Sequence, residues 1–463
     1  MKVGGFLRAL LALWVAICPL EASKEEVKKG GEKERTEPTE KEKRSDGEPL
    51  TAKKAKEAEP EEKSPIFRAG DQGFSLASRD GAFELRWRGY IQVDSRWFFE
   101  GREKSGVNGF LMRRVRPIWE GTLYKEFDFR LMVDFGGTAV TLQDGYLGWN
   151  HWPQCRLRIG QFKAPVGLER LQSATDLAFN ERAFPTQLLP NRDIGFQVDG
   201  KLAGEQLYYA VALLNGVVDH GSTIGSNGTN AVDLAARLFV QPFRCARWSA
   251  WRGVGVGVAA TLGRERGTAT RPLLPVYLTP AQQLLFSYRI GSPADGDNTV
   301  IADGKRQRLT PQSYYHYGPF GLMSEYALSG NQVAIGESRA TLWNHAWQVT
   351  SSWVISGEEA SYTGVKPRHP FDLQASHWGA WEWVMRYHEL YIDPKAFPRF
   401  ADPETSASQA KSWSLGLNWY LNNQIKVAAS YSQARFRCGA ANGANRSDEK
   451  RLFTRSQVSF LVG

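Results

Sequence analysis

The chain has 463 residues, 16 of them Trp, with 12% aromatic residues and a formal net charge of +9. This length suits either two or three ordinary soluble domains or one large barrel. No apolar run after residue 20 approaches the roughly 20 residues that a spanning helix needs, which excludes a helical-bundle membrane protein.

The first 64 residues differ in character from the rest. Residues 1–22 are typical of a secretory signal peptide, with a charged start ahead of an apolar core from Ala9 to Ile17. Residues 23–64 are dominated by Lys and Glu and predict a disordered, solvated arm, because they bury too little apolar surface to offset ordering entropy. We expect residues 65–463 to form the folded domain. An exported chain without a basic helix is not expected to bind nucleic acid.

Residues 127–135 alternate strictly between apolar and mostly charged side chains. The apolar set is Phe127, Phe129, Leu131, Val133 and Phe135, and the opposite set is Asp128, Arg130, Met132 and Asp134. The same pattern recurs at residues 84–96 and 114–123. A transmembrane β-barrel has strands of about ten residues with lipid on the apolar side and water on the polar side. The pattern therefore favours a membrane barrel.

The predicted connections alternate in length along the chain. Short turns are expected at residues 124–126, 151–154 and 204–205, and long loops at 98–109, 164–192, 217–230 and 263–311. Outer-membrane barrels have short periplasmic turns and long outer loops. Roughly 25 residues per strand and loop predict on the order of 16 strands, which enclose an aqueous channel. The predicted fold class is all-β, a transmembrane antiparallel barrel.

The segments EGTLYKEFDFRLMVDFG, LQDGYLGW, RIGQFKAPVGLERLQSATDL and NERAFPTQLLPNRDIGFQVDG follow one another between residues 120 and 200. Together with later segments they resemble the phosphate-selective porins of the O/P type from Gram-negative outer membranes. The resemblance covers nearly the whole chain after about residue 80. It implies 16 strands, a homotrimer in outer-membrane lipid, and passive diffusion of small anions, with phosphate suspected.

The connection at residues 164–192 is too long for an idle loop in a compact domain. It follows the fifth predicted strand and is therefore the third outer loop. We expect it to fold into the lumen and to narrow the channel there.

Arginine suits such a constriction, because it keeps its charge and offers paired donors that match phosphate oxygens. The resemblance places Arg113 and Arg114 at the phosphate site, Arg170 at a basic position after GLE, and Asp144 at the family's aspartate. That carboxylate would keep a bound anion mobile. Arg116 and Arg182 complete the predicted anion-binding set, with Arg113 expected at the outer end of its strand and Arg114 facing water. The full candidate set is Arg113, Arg114, Arg116, Asp144, Arg170 and Arg182.

Several alternatives remain open at this point. Lumen carboxylates such as Asp134 and Asp199 could pair with the arginines and merely stiffen the wall. A general or carbohydrate-selective porin would show an aromatic track, for example Tyr90, Tyr146 and Tyr208. A soluble Trp-rich carbohydrate-binding β protein is the third possibility. The sequence contains no catalytic motif or metal-ligand spacing, so we expect no enzyme activity, metal or cofactor.

The end of the chain departs from the usual pattern of outer-membrane barrels, which finish on an aromatic residue. Phe460 is the expected terminal residue, and Leu461, Val462 and Gly463 follow it. We expect Phe460 to close the last strand.

Overall fold

The computed structural model describes residues 64–70, 73–99, 106–223, 231–291 and 298–460. The predicted signal peptide and all but the last residue of the predicted arm lie outside the described residues, as do residues 461–463. No helix within these ranges is both long and apolar enough to cross a membrane.

The described residues form twenty strands. Their bounds are β1 Ile66–Gly70, β2 Gly73–Ala77, β3 Phe83–Phe98, β4 Gly109–Leu123, β5 Phe127–Asp134, β6 Thr141–Trp152, β7 Cys155–Lys163, β8 Arg192–Leu202, β9 Leu207–Leu214, β10 Asp233–Val240, β11 Val254–Arg266, β12 Tyr277–Leu278, β13 Leu284–Phe286, β14 Ile301–Tyr317, β15 Phe320–Ile335, β16 Ser338–Val354, β17 Ala380–Tyr391, β18 Ala407–Tyr420, β19 Ile425–Cys438 and β20 Glu449–Phe460. β12 and β13 form a small separate sheet.

Sixteen strands close into an antiparallel barrel. Each strand from β3 to β11 pairs with the next, β11 pairs with β14, and the pairing continues to β20. β20 then pairs with β3, from Arg451 opposite Phe98 to Phe460 opposite Gly89. Closure satisfies the strand edges, which lipid requires because it offers no hydrogen-bond partners. The predicted barrel of about 16 strands is confirmed.

Side-chain alternation determines which face of each strand meets lipid. In β18, Trp413 and Leu415 are 39% and 38% exposed on the outer wall, whereas Ser412 and Ser414 are buried inside. In β5, Leu131 is 42% exposed and Met132 is buried. The period-two pattern therefore produces an apolar outer wall and a mainly polar inner wall.

The short and long connections occupy opposite ends of the barrel, with three exceptions, one of which is the connection at residues 241–253 from β10 to β11 at the short-turn end. Only Gly336 and Glu337 join β15 to β16 at the long-loop end, whereas residues 355–379 join β16 to β17 at the short-turn end. The predicted long loop at 263–311 is wrong at both ends, since β11 extends to Arg266 and β14 begins at Ile301.

The error in that loop has a physical cause. The charged run at the start of β14 suggested a solvated loop, but Arg306 and Arg308 are buried on the lumen side. Arg306 Nη2 lies 3.1 Å from Asp233 Oδ1, and Arg308 Nη1 lies 3.2 Å from Asp233 Oδ2. Charged residues can therefore belong to a strand whose inner face is lined by ion pairs.

The third long connection, residues 164–191, folds into the barrel and is called the constriction loop below. It contains a helical turn at Leu168–Leu171 and a 3-10 turn at Phe184–Leu188. Phe184 is fully buried in a cluster with Tyr277 and Leu390. The inward-folded third outer loop is confirmed, and the main hydrophobic cluster lies inside the barrel.

β1 and β2 form a hairpin outside the barrel circuit. Phe74–Ala77 of β2 pairs with Glu84–Trp87 of β3, on the edge of β3 where β20 ends opposite Gly89. The hairpin therefore occupies the part of this edge that a longer β20 would need.

This geometry gives a prediction for the end of the chain. Deletion of residues 461–463 should leave outer-membrane assembly unchanged, because Phe460 already completes β20 and the hairpin holds the next part of β3. Phe460→Ala should reduce assembly. The folded fraction, measured by heat-modifiable gel migration of outer-membrane preparations, separates the two variants. A severe defect from the deletion together with a silent Phe460→Ala would reverse this assignment.

A second prediction concerns the two faces of the wall. Leu131→Arg puts a charge into the lipid-facing side and should lower barrel stability by about 2–4 kcal/mol. Gln143→Arg, on the neighbouring strand, adds the same group to the water-filled cavity and should cost far less. Met132 is a poorer control, because it packs against Tyr90 and Ile118. Urea unfolding in detergent micelles measures both variants, and equal penalties would contradict the assignment of faces.

Candidate functional site

A cavity of about 520 Å³ runs along the lumen beside the constriction loop. It is lined by all six predicted site residues, namely Arg113, Arg114, Arg116, Asp144, Arg170 and Arg182. Arg113 and Arg114 lie toward the long-loop end, and Tyr208, two residues into β9, lies toward the short-turn end. The structure thus brings together residues from two strands and from the constriction loop.

A bulge in β4 turns both members of the arginine pair into the lumen. Gln92 pairs with Arg114 and Val93 pairs with Met112, so Arg113 has no partner in this register. An extra residue in one strand breaks the alternation of side chains. Arg114 faces the water as predicted, and Arg113 turns inward beside it.

The arginine pair converges on one carboxylate of the constriction loop. Arg113 Nη2 donates to Glu181 Oε2 over 3.1 Å, and Arg114 Nη2 lies 3.5 Å from the same oxygen. Arg96 and Arg455 also lie within 3.5 Å of Glu181. Although burial acts to raise it, the pKa of Glu181 is held well below its usual range by Arg113 and Arg114. Glu181 is therefore a fixed negative charge surrounded by arginines.

Arg116 and Asp144 belong to ion pairs of the wall. Arg116 Nε lies 2.7 Å from Asp134 Oδ2. Asp144 is held between Arg192 at 2.8 Å and Arg130 at 3.3 Å. The geometry of Arg116 and Asp144 thus agrees with the hypothesis that ion pairs stiffen the wall. Both residues also line the cavity.

Three other cations of the cavity are bound mainly to backbone carbonyl groups. Lys163 Nζ donates to Leu171 O and Gln172 O over 3.1 and 2.9 Å, and Arg182 donates to Glu169 O and Gln172 O over 2.9 and 2.7 Å. Arg170 donates to Thr186 O and lies 3.1 Å from His220 Nδ1. In the part of the chain that the structure describes, none of the three forms an ion pair. We call Lys163, Arg170 and Arg182 the cation triad.

In the environment of Arg170, burial and the neighbouring arginines outweigh the carboxylates of Glu169 and Glu325. Burial, followed by repulsion from Arg182 and Arg192, lowers the pKa of this guanidinium to about 9. The group is still charged at neutral pH, and an anion placed beside it would relieve this repulsion.

Lys163 was not predicted as a site residue from the sequence. The alternation of Leu157 and Ile159 would place it on the lipid side, but β7 ends at Lys163 and its amino group reaches the constriction loop. A lysine at the last position of a strand before a long inward loop is the available signal.

The far wall of the barrel anchors the constriction loop. Glu325 of β15 accepts hydrogen bonds from the backbone N–H groups of Leu168 at 2.5 Å and Glu169 at 3.4 Å. Gln348 Nε2 bridges Glu169 and Glu325 at 3.1 and 3.2 Å. Arg386 Nη1 lies 3.1 Å from Glu169 Oε1. Glu325 and Arg386 lie 157 and 217 residues in sequence from the loop residues that they bind. No local sequence pattern therefore identifies these anchors.

The connection at residues 355–379, at the short-turn end, also reaches the constriction loop. Tyr362 Oη donates to Leu168 O over 2.6 Å, and Gln172 Nε2 donates to Tyr362 O over 2.7 Å. The loop is therefore held from the wall and from the opposite end of the barrel, which leaves the passage on the side of β4 to β9. Across the described ranges, no group of three or more His, Cys, Asp or Glu is placed to hold a metal ion.

The comparison with known families agrees with this architecture. The sequence model of the family described as phosphate-selective porin O and P matches residues 85–460. The chain belongs to this family. It is 22% identical over 400 residues to Porin O of Pseudomonas aeruginosa, which covers 78% of this chain and 85% of that protein.

Solved structures of other porins share the fold of this chain. The outer membrane channel DcaP of Acinetobacter baumannii is 12% identical, with a TM-score of 0.53 over 83% of this chain and 99% of that one. An anion-selective porin from Comamonas acidovorans is 9% identical, with a TM-score of 0.50 over 81% of this chain and 99% of that one. At these identities the likeness concerns the fold alone. Family and fold together identify a channel of the Gram-negative outer membrane.

The anchor on the far wall gives a prediction about conductance. Glu325→Ala removes the acceptor for two backbone donors, and each buried donor left without a partner costs about 1–3 kcal/mol. The constriction loop should then move away from its position, and single-channel conductance in potassium chloride should increase. Glu205→Ala, at an exposed short turn, is the matched control and should not change it. An unaltered conductance in Glu325→Ala would show that other contacts suffice.

Proposed function

We propose that this porin mediates passive, anion-selective diffusion, with phosphate or another small oxyanion as the solute. The cation triad carries the proposal, because its three cations line the passage and form no ion pair among the described residues. The positive charge of the wall arginines is paired with carboxylates, whereas the positive charge of the triad remains available for a passing anion.

The chemistry follows from the cost of removing water from an anion. In a narrow lumen the solute loses part of its hydration shell, and guanidinium and ammonium donors take the place of water. A guanidinium offers parallel N–H donors that match two oxygens of phosphate. In the proposed mechanism, Arg113 and Arg114 attract the anion toward the long-loop end. The cation triad of Lys163, Arg170 and Arg182 then binds it in the constriction.

Release requires that no site binds too tightly. Asp144 and Glu181 line the same cavity and supply negative charge next to the cations. The triad is also occupied by backbone carbonyls, so an anion competes for donors that are already hydrogen-bonded. Weak competition of this kind permits passage from one site to the next.

The general or carbohydrate-selective porin remains the second candidate. Tyr90, Tyr146 and Tyr208 all line the cavity, as the aromatic track of that hypothesis requires. This candidate predicts weak ion selectivity and no block of chloride current by phosphate. Neither transport hypothesis requires catalysis, and we propose no enzymatic activity.

The proposal is tested by reconstituting the channel in planar bilayers and adding phosphate to chloride. Phosphate should block the chloride current, and Arg182→Gln should raise the half-blocking concentration by about tenfold, because one charge-assisted hydrogen bond contributes about 1.5 kcal/mol. Lys163→Met should weaken the block in the same direction. The reversal potential in a salt gradient should show anion preference in the wild type and less of it in both variants.

Two controls make this test decisive. Arg339→Gln removes an exposed arginine, 74% accessible, at the long-loop end and should leave the block unchanged. Conductance without phosphate reports whether a variant has released the constriction loop. Cation preference in the wild type, or phosphate block that survives loss of Lys163 and Arg182 together, would contradict the proposal.

We also infer a homotrimer, an N-terminal signal peptide and a solvated arm, which the sequence and the family resemblance support. Light scattering of the detergent-solubilised protein measures the oligomeric state. N-terminal sequencing of outer-membrane material locates the start of the mature chain, which is expected at residue 23.

A further inference from the structure

A second group of cations lies in the lumen, nearer to the short turns than the triad. Arg158 of β7 stacks on Tyr146, with its Cζ 4.6 Å from the ring centroid. Arg237 of β10 lies 5.5 Å from the centroid of Tyr208 and 4.8 Å from that of Phe239. Each guanidinium thus lies within cation–π distance of aromatic rings.

Most donors of these two arginines are not used by carboxylates. Within the described ranges, Arg237 has Gln312 Oε1 as its side-chain partner at 3.0 Å and forms no ion pair, and its Nε is buried without a hydrogen bond. Arg158 lies 4.0 Å from Asp199, which is paired more closely with Arg156. A stacked guanidinium keeps its N–H donors in the plane of the group, directed past the ring edge.

The wall between the two arginines is mixed in polarity, because Gln197 and Asp199 of β8 lie on it beside alanines of β9. Ala210 pairs with Arg237, and Ala212 pairs with Gln197, the register partner of Arg158. These alanines and Ala259 of β11 are buried on the lumen side. Ala212 and Ala259 are packed against Phe162, so the surface that a solute meets here is that of Tyr146, Arg158 and Tyr208, which line the main cavity.

We propose that Tyr146, Arg158, Tyr208 and Arg237 form a lower station that binds small organic anions with a flat ring, such as aromatic carboxylates. The inference rests on the proposed anion selectivity and adds a substrate class to it. The anionic group is bound by N–H donors of the arginines that carboxylates do not occupy, and the ring lies on the tyrosines.

The aromatic surroundings distinguish this station from the cation triad. A bare inorganic oxyanion gains nothing from aromatic faces or alanines, because its oxygens need donors on all sides. An aromatic carboxylate buries its ring while its carboxylate keeps two donors, and aromatic pairs add favourable contacts beyond area burial.

Blocking of chloride current by benzoate and by acetate tests the proposal on the full-length channel in planar bilayers. Both probes carry one carboxylate, and benzoate alone has a ring. In the wild type, benzoate should block at a concentration about fivefold lower than acetate, the range expected for one aromatic contact. Tyr208→Leu should abolish this difference, and Tyr208→Phe should keep it. Arg237→Gln should raise the half-blocking benzoate concentration by about tenfold.

The controls separate this inference from the general one. Tyr317→Leu removes an exposed aromatic residue, 47% accessible, and should not alter the preference for benzoate. Phosphate block should change less than twofold, roughly, in Tyr208→Leu, since the triad is intact. Equal block by benzoate and acetate in the wild type, or a benzoate preference that persists in Tyr208→Leu, would overturn the lower station. If phosphate still blocks in that case, anion selectivity stands and the lower station alone fails.

Discussion

The hydrogen bonds from Leu168 and Glu169 to Glu325 fix where the channel is narrow. A sixteen-stranded barrel is wide enough for an open aqueous pore. The constriction loop folds into this pore, and its first helical turn is bonded to β15, across the barrel from β7 and β8. Gln348 and Arg386 bind Glu169 in the same region, so the anchor is a network and not a single bond. The passage is therefore displaced to the side of the barrel where the arginines lie.

Charge in the lumen is divided between two functions. Arg116, Arg130 and Arg192 are paired with Asp134 and Asp144, so they stiffen the wall and contribute little free positive charge. The cation triad is bound by backbone carbonyls, which orient the cations without neutralising them. We propose that selectivity depends on which cations lack a carboxylate, so that the number of arginines in the lumen is a poor measure of it.

Positive charge extends along the whole passage, but its surroundings change. Near the long loops the arginine pair shares Glu181 with Arg96 and Arg455. In the constriction the triad lies among loop carbonyls. Toward the short turns Arg158 and Arg237 lie on aromatic rings beside alanines. A solute therefore meets a mixed-charge entrance, a polar constriction and a partly apolar exit. Because each environment favours a different solute surface, the lumen can select for more than charge.

The sequence by itself determined the barrel, its strand number, its inner and outer faces and the inward third loop, since a strand in lipid must alternate and that period is local. The six residues that the sequence singled out all line one cavity. Only the tertiary structure decided which cations are paired, because ion pairs such as Arg455 with Asp94 join residues 361 apart. It also decided the positions of Arg113, at a bulge, and Lys163, at a strand end, where alternation stops being a guide.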